Sequence, residues 1–342
     1  MRRSMAFAAV AVWVLACGGG DGGPPGTPGA PPPGGGGGGG GGSYDTPEQL
    51  LAAAAPQWKP EGTSSQMGAA QFLAPSGWEV TQYTDGVAAR SPGASGGQCE
   101  IFVLDPRAAA SGEAAQYQQL LQATKGLFPQ GTVLQDQYGG ADPLRERWRG
   151  KTGRGWGYVG LFLSVNGSTW VLPFLADFGG TAVPVVIIEP KSSTEGCVNI
   201  VGDFGAGPAA VFHSLSLEGA SNTGANTLAA NAVGLWFSSD GTTGAQYLFG
   251  ANGQYIDSSV YGGPVEVTPG DWQNQYATWS GTGRYVLRGD VLGFFPSGAS
   301  AFSRYARQIQ VANTQGGWDD KLCWVAANDG EPYTHCLWRT EE

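Results

Sequence analysis

The chain has 342 residues, of which 13% are charged, with 28 acidic residues against 18 basic ones and a net charge of −10. Loss of Arg2 and Arg3 with a cleaved leader leaves 16 basic residues and a net charge of −12, which argues against nucleic acid as a partner and against electrostatic docking on anionic lipid. About 300 residues follow the low-complexity N-terminal stretch, enough for two domains, and the abundance of Gly (58), Trp (12) and Tyr (12) suits an exported, β-rich protein.

Arg2 and Arg3 precede an apolar run over 6–16, too short to span a bilayer and shaped like the n-region and h-region of a secretory signal. The stretch Val14-Leu15-Ala16-Cys17 resembles a bacterial lipobox, with Val and Leu where the usual form has Leu and a small residue. The resemblance implies a signal peptide over 1–16, a lipid on Cys17, and a protein anchored through that lipid to a membrane of the bacterial cell envelope. Gly18 stands where an inner-membrane retention signal carries Asp, which points to the outer membrane. The rest of 17–43 is almost only Gly and Pro and cannot bury apolar surface, so a disordered tether is expected. Its ends lie roughly 25–30 Å apart as a flexible coil.

There are five cysteines. With Cys17 lipidated, four remain, and four allow three pairings. Keeping each bridge inside one proposed domain pairs Cys99 with Cys197 and Cys323 with Cys336. The chain has no C-x-x-C, and its two histidines, His213 and His335, are far apart, so no metal site is expected.

Residues 44–218 read as an α/β domain. A helix is expected over 45–55, with Thr46 as N-cap and Pro47 at N1. Strands follow over 79–82, 87–91 and 99–104. A second helix spans 112–128, capped by Ser111, with Glu113 at its positive end and Tyr117, Leu120, Leu121, Leu127 and Phe128 on one stripe. Strands are then expected over 132–137, 144–150, 156–165, 169–176, 185–189 and 197–201, with Asn166-Gly167 as a hairpin turn. A helix over 207–215 closes the region. Ala74-Pro-Ser-Gly-Trp78, the strand at Cys99 followed by the helix from Gly112, and Phe212-His-Ser-Leu215 make this region similar to the PsbP-like family. That resemblance implies an α/β/α sandwich with an accessory or binding role.

A small polar linker over 219–227 leads to an all-β region over 228–342. Eight strand-like runs cover 233–237, 246–249, 254–260, 283–287, 291–295, 302–310, 321–325 and 333–339. Ala251-Asn252-Gly253 and Arg288-Gly289-Asp290 form tight turns, and an acidic loop over 262–272 interrupts the rhythm. Eight short strands suit a closed barrel. Gly234-Leu235-Trp236 is similar to the G-x-W signature of lipocalins, and Phe249-Gly-Ala-Asn-Gly-Gln-Tyr255 looks like the hairpin of bacterial lipocalin-like domains. The resemblance implies that Trp236 closes the barrel base under Arg339 and that the interior holds a small apolar ligand. Trp236, Tyr255, Tyr285 and Arg339 are then the ligand-binding candidates, although aromatic residues at such spacing also build cores. A carbohydrate-binding β-sandwich is the alternative for this region.

Apparent catalytic motifs carry little weight. Gly93-Ala94-Ser95-Gly96-Gly97 fits G-x-S-x-G but precedes a strand rather than a helix. Gly155-Trp156-Gly157-Tyr158-Val159-Gly160 fits G-x-G-x-x-G but also runs into a strand. His213 and His335 have no nucleophile nearby in sequence and read as structural. Asp319-Asp320 and Asp329 with Glu331 read as solvated turns. The expectation is therefore an α+β lipoprotein without enzymatic activity or cofactor, binding a small apolar ligand or an envelope protein. Glycan binding is the alternative, and a carboxylate-dependent hydrolase a more distant one.

Overall fold

The computed structural model describes residues 46–93, 98–193, 196–200, 203–220, 232–239, 243–261, 264–268, 271–274, 277–328 and 331–339. The expected leader over 1–16, Cys17, the expected tether, Ala94 to Gly97, Asp329 and nearly all of the expected linker lie outside them. Helix α1 (Pro47–Ala53) begins at the expected Thr46, whose Oγ1 accepts the Gln49 N–H at 3.2 Å while Gln49 Oε1 accepts the Thr46 N–H at 3.1 Å. This reciprocal capping box satisfies two donors that the helix start would leave free. Strands β1 (Ala55–Pro56), β2 (Gly62–Met67), β3 (Ala70–Pro75), β4 (Glu79–Gln82), β5 (Gly86–Arg90), β6 (Glu100–Leu104) and β7 (Arg107–Ala108) follow. Helix α2 (Glu113–Lys125) is capped by Gly112 at φ 86°, with no side-chain cap, so Ser111 does not take the role expected of it. After α2 come β8 (Leu134–Asp136), β9 (Arg147–Lys151), β10 (Gly157–Leu161), β11 (Leu163–Val165), β12 (Thr169–Asp177), β13 (Thr181–Pro190), β14 (Val198–Ile200) and β15 (Asp203–Phe204). Helix α3 (Ala206–Ser214) and β16 (Ser216–Leu217) complete this half.

Strands β4-β5-β6-β13-β12-β10-β9 form an antiparallel sheet, with β11 and β8 branching from β12. The expected Asn-Gly turn joins β11 to β12 through the three residues between the paired Val165 and Thr169, with Asn166 at φ 51° and Gly167 at φ 67°, the left-handed conformation that Asn and Gly tolerate best. Both faces of β13 are covered, which explains its unbroken apolar run. Ala182 and Val186 pack under α2 with Tyr117, Leu120 and Leu121. Val183, Val185 and Ile187 face Phe204, Val211 and Phe212. The expected α/β/α sandwich is not formed. Only α2 covers one face, and the other is covered by α3 together with a three-stranded sheet, β2-β3-β16. The half is mostly β because β2 and β3 take the place of a second helical layer.

The C-terminal half contains β17 (Gly234–Ser239), β18 (Thr243–Phe249), β19 (Gln254–Tyr261), β20 (Pro264–Thr268), β21 (Asp271–Asn274), β22 (Ala277–Arg288), β23 (Val291–Pro296), β24 (Phe302–Ala312), β25 (Trp318–Asn328) and β26 (Glu331–Arg339). Strands β17-β18-β19-β22-β23-β24-β25-β26 pair in antiparallel sequence, and Trp236 and Phe237 pair back onto Arg339 and Trp338 to close an eight-stranded barrel. All eight expected runs are barrel strands. The stretch expected to be an acidic loop instead carries the β20–β21 hairpin. Both expected disulfides are present. Cys99–Cys197 ties β6 to the start of β14, and Cys323–Cys336 joins directly opposed residues of β25 and β26. Each is worth about 2–4 kcal/mol.

The two halves share strand β24. Phe302–Tyr305 pairs with β23 inside the barrel, whereas Gln308, Ile309, Gln310 and Val311 pair with Lys151, Gly150, Arg149 and Trp148 of β9. Ile309, Val311, Cys323 and Val325 accordingly belong to the same core as Trp148 and Phe212. A buried ionic cluster reinforces the seam. Asp290, in the β22–β23 turn, accepts Arg154 Nε at 2.9 Å and the Gly153 N–H at 2.8 Å, and lies 3.3 Å from His213 Nδ1 of α3. Arg154 also donates to the carbonyls of Leu215 (3.0 Å) and Phe212 (2.8 Å). Burial works to raise the Asp290 carboxyl, but His213, Arg154 and the Gly153 N–H outweigh it and hold the group below its ordinary value. Burial keeps His213 below its ordinary value and hence neutral, with Arg307 and Arg154 acting the same way against the pull of Asp290.

Removing Asp290 leaves Arg154 without its anion in a largely buried site. Asp290→Ala is expected to destabilise the protein by about 3–5 kcal/mol, read as a lowered urea midpoint at pH 7.5. A depressed carboxyl stabilises above its unfolded value of 3.8 and loses that contribution as pH falls through the lower folded value. His213, neutral when folded, weakens stability as pH falls below 6.5, because the unfolded chain takes up the proton first. An unchanged midpoint in Asp290→Ala would show that the cluster does not hold the seam.

Candidate functional site

The barrel interior was the expected ligand site. Trp236, Phe249, Tyr255, Tyr285, Leu292, Phe294, Trp324 and Leu337 pack into one cluster there. Phe294 sits at its centre, with ring centroids of Tyr255 at 5.2 Å, Phe302 at 4.9 Å, and Phe249, Tyr247 and Trp324 at 6.1 Å. Of the four ligand candidates, Trp236 is fully buried and donates Nε1–H to the Ala232 carbonyl at 2.7 Å. Tyr285 donates its hydroxyl to the Gly250 carbonyl at 2.9 Å, and burial raises both Tyr255 and Tyr285 above the ordinary phenol value. These three are packed among their neighbours. Arg339 alone is exposed: its guanidinium lies 5.8 Å from the Trp236 ring, donates to the Val233 carbonyl at 3.1 Å, and reaches Asp320 Oδ2 at 3.4 Å. His335 faces Trp324 across the β25–β26 ladder, and burial, with Arg304 nearby, brings it down to about 4.

Arg339 also borders a cleft of about 580 Å³ where the sheet meets the barrel. The cleft lies on the α2 face of β10-β9-β24-β25, and strand alternation explains its lining. One cross-strand row runs Val159, Arg149, Gln310, Asp320. The next runs Asp177, Gly157, Lys151, Gln308. In the first row every polar group has a partner. Arg149 pairs with Glu113 of α2 and donates Nε–H to Gln310 Oε1 at 3.0 Å. Gln310 in turn donates to Asp320 Oδ1 at 3.0 Å, and Asp320 meets Arg339. The Trp318 ring lies under Arg149, 4.0 Å from the guanidinium carbon. The two guanidinium groups are thereby neutralised in place and present hydrogen-bonding edges rather than net charge.

Of the cleft residues, the sequence singles out Arg339 as a ligand candidate, Gly157, Tyr158 and Val159 within a discounted G-x-G-x-x-G match, Glu113 as a helix-end charge and Asp320 as part of a solvated turn; the others carry no such mark. Asp320 is instead a strand residue, in β25. A signal was present in Arg147-Trp148-Arg149-Gly150-Lys151, where basic residues recur with period two, and in Gln308 and Gln310. Only the pairing of β9 with β24, 161 residues apart at Arg149 and Gln310, puts those alternations on one surface. No protein-family model matches the chain, and no curated protein sequence matches it. The PsbP-like expectation therefore gains no support.

The packed interior among the described barrel residues makes a direct prediction. Phe294→Ala is expected to cost about 3–5 kcal/mol and to open a dry cavity that takes up a small aromatic probe such as benzene, measured by calorimetry. Stoichiometric uptake of the same probe by the unmodified protein would contradict the packed interior.

Proposed function

We propose that this protein is a binding module of the bacterial cell envelope, held by a lipid on Cys17 and a Gly/Pro tether, which captures a small hydrophilic solute in the seam cleft. The barrel is lipocalin-like in this reading, with Arg339 over Trp236 at its base, and acts as a scaffold wall rather than as the container. The observation that carries the reading is the cleft itself. Its volume falls within the 300–1,000 Å³ usual for small-molecule sites, and it is lined by a connected set of donors and acceptors, while the described barrel interior is filled by side chains. A fixed network of guanidinium, amide and carboxylate groups can bind a polar solute without reorganising. The large net negative charge keeps such a module off anionic membrane surfaces.

Two measurements test this. Cys17→Ser is expected to move the protein from the membrane fraction to the soluble periplasmic fraction, and retention in the membrane would remove the anchor from the reading. A soluble form beginning at Ser43, purified from a bacterial periplasm, is expected to carry a hydrophilic mass in native mass spectrometry that Arg149→Met reduces about tenfold or more. An apolar mass, released by organic solvent and indifferent to Arg149→Met, would return binding to the barrel.

A further inference from the structure

Three glycines of the β9–β10 hairpin arms differ in what holds them. A Cβ at Gly150 would stand 2.3 Å from the Tyr158 hydroxyl oxygen and 2.6 Å from the Gln308 carbonyl oxygen. One at Gly160 would stand 2.0 Å from the Trp148 ring. Packing therefore demands glycine at both positions. At Gly157 a Cβ would meet only the Gly150 carbonyl oxygen, at 3.8 Å, and its φ is not in the left-handed region. Neither packing nor backbone conformation explains this glycine, and glycine inside a strand costs stability. It lies in the floor of the cleft. A strand glycine accompanies a bulge, a tight bend or the close approach of a ligand or another backbone. At Gly157 the ladders to β9 and β12 run without a register shift, and the space a Cβ would take meets only the Gly150 carbonyl oxygen, at 3.8 Å, which leaves a slot open to a ligand.

Gly157 stands between two residues in its cross-strand row, Asp177 on β12 and Lys151 on β9. Their Cα atoms are two strand spacings apart, roughly 10 Å. The other cleft charges are matched, Arg149 with Glu113 and Arg339 with Asp320. Lys151 is exposed and forms no ion pair among the described residues. Asp177 is half-buried and oriented by N–H donors: Gly179 (2.9 Å) and Gly180 (3.2 Å) donate to Oδ1, and Gln116 Nε2 donates to Oδ2 at 2.8 Å. These are neutral donors, so its charge has no cationic partner among the described residues. The row thus presents an ammonium, a bare backbone slot and a carboxylate in line.

Building on the cleft as the binding site, we propose that the slot over Gly157 takes a zwitterion of the amino-acid or short-peptide class, its carboxylate on Lys151 and its ammonium on Asp177. The backbone of the ligand lies against Gly157, where any side chain would occupy the same space. Each end forms a charge-assisted hydrogen bond, and ligands lacking either charge leave one member of the pair unmatched.

Calorimetric titration of the soluble form with trialanine, N-acetyl-trialanine amide and chitotriose tests the proposal. Trialanine is expected to bind, and the doubly blocked peptide to bind about 10–100-fold more weakly. Lys151→Met and Asp177→Asn are each expected to lower trialanine affinity by a similar factor, and Gly157→Leu to abolish binding, all with circular dichroism unchanged. Should Gly157→Leu fail to fold, the two charge variants decide alone, since both residues sit at the cleft surface. Equal binding of the free and blocked peptides, or charge variants that bind like the parent, would overturn the zwitterion. Binding of chitotriose alone, lost in Gly157→Leu, would overturn the zwitterion while leaving the cleft as a site for a neutral hydrophilic solute. Failure of all three probes at millimolar concentration would overturn this proposal, whereas a hydrophilic mass still retained on native purification would preserve the broader reading.

Discussion

The architecture depends on one strand hydrogen-bonding to two different structures along its length. Strand β24 forms barrel wall with β23 through Tyr305 and then, from Gln308 onward, becomes the neighbour of β9 in the N-terminal sheet, while β25 follows it along the opposite edge. Because backbone pairing fixes register, and register fixes which side chains face which way, this single strand sets two surfaces at once. Arg307, Ile309 and Val311 turn toward the core built on α3, and Ala306, Gln308 and Gln310 turn toward the barrel interior and the cleft that continues from it.

The seam also explains where charge is buried. Asp290, Arg154 and His213 come from a barrel turn, a sheet turn and a helix, and they meet only when the two halves are docked in this arrangement. A buried ion pair contributes little net stability compared with an apolar filling, but a wrong docking would leave each charge unmatched. The cluster therefore selects one relative placement, while the apolar contacts of Trp148, Ile309, Val311 and Phe212 supply the bulk of the favourable free energy.

Among the described residues, filling the barrel interior and opening the seam are two sides of one packing solution. Phe294, Trp324 and Phe249 occupy the space that a hollow barrel would leave to a ligand. Strands β24, β25 and β26 then place Gln310, Asp320 and Arg339 at the seam, in one polar network with Arg149 and Glu113. The aromatic content that suggests a ligand cage in the sequence serves the core, and the polar residues that suggest ordinary surface form the concave site.

Local rules determined much of this protein directly from its sequence. The capping box at Thr46 and Gln49, the Asn166-Gly167 turn and the eight strands of the barrel follow from interactions between residues near in sequence, and the two disulfides from keeping each bridge inside one proposed domain. Strand β2 was not legible because Gly-Thr-Ser-Ser-Gln-Met has little apolar alternation. It is mostly exposed and is held by its ladder to β3 rather than by burial. The Gly112 cap was missed because a favourable Ser stood beside it. The seam, the Asp290 cluster and the cleft were decided only by tertiary structure. Each joins residues more than a hundred positions apart, such as Arg149 with Gln310 and Arg154 with Asp290, and the period-two pattern of a strand states which residues share a face but not which distant strand will lie alongside it.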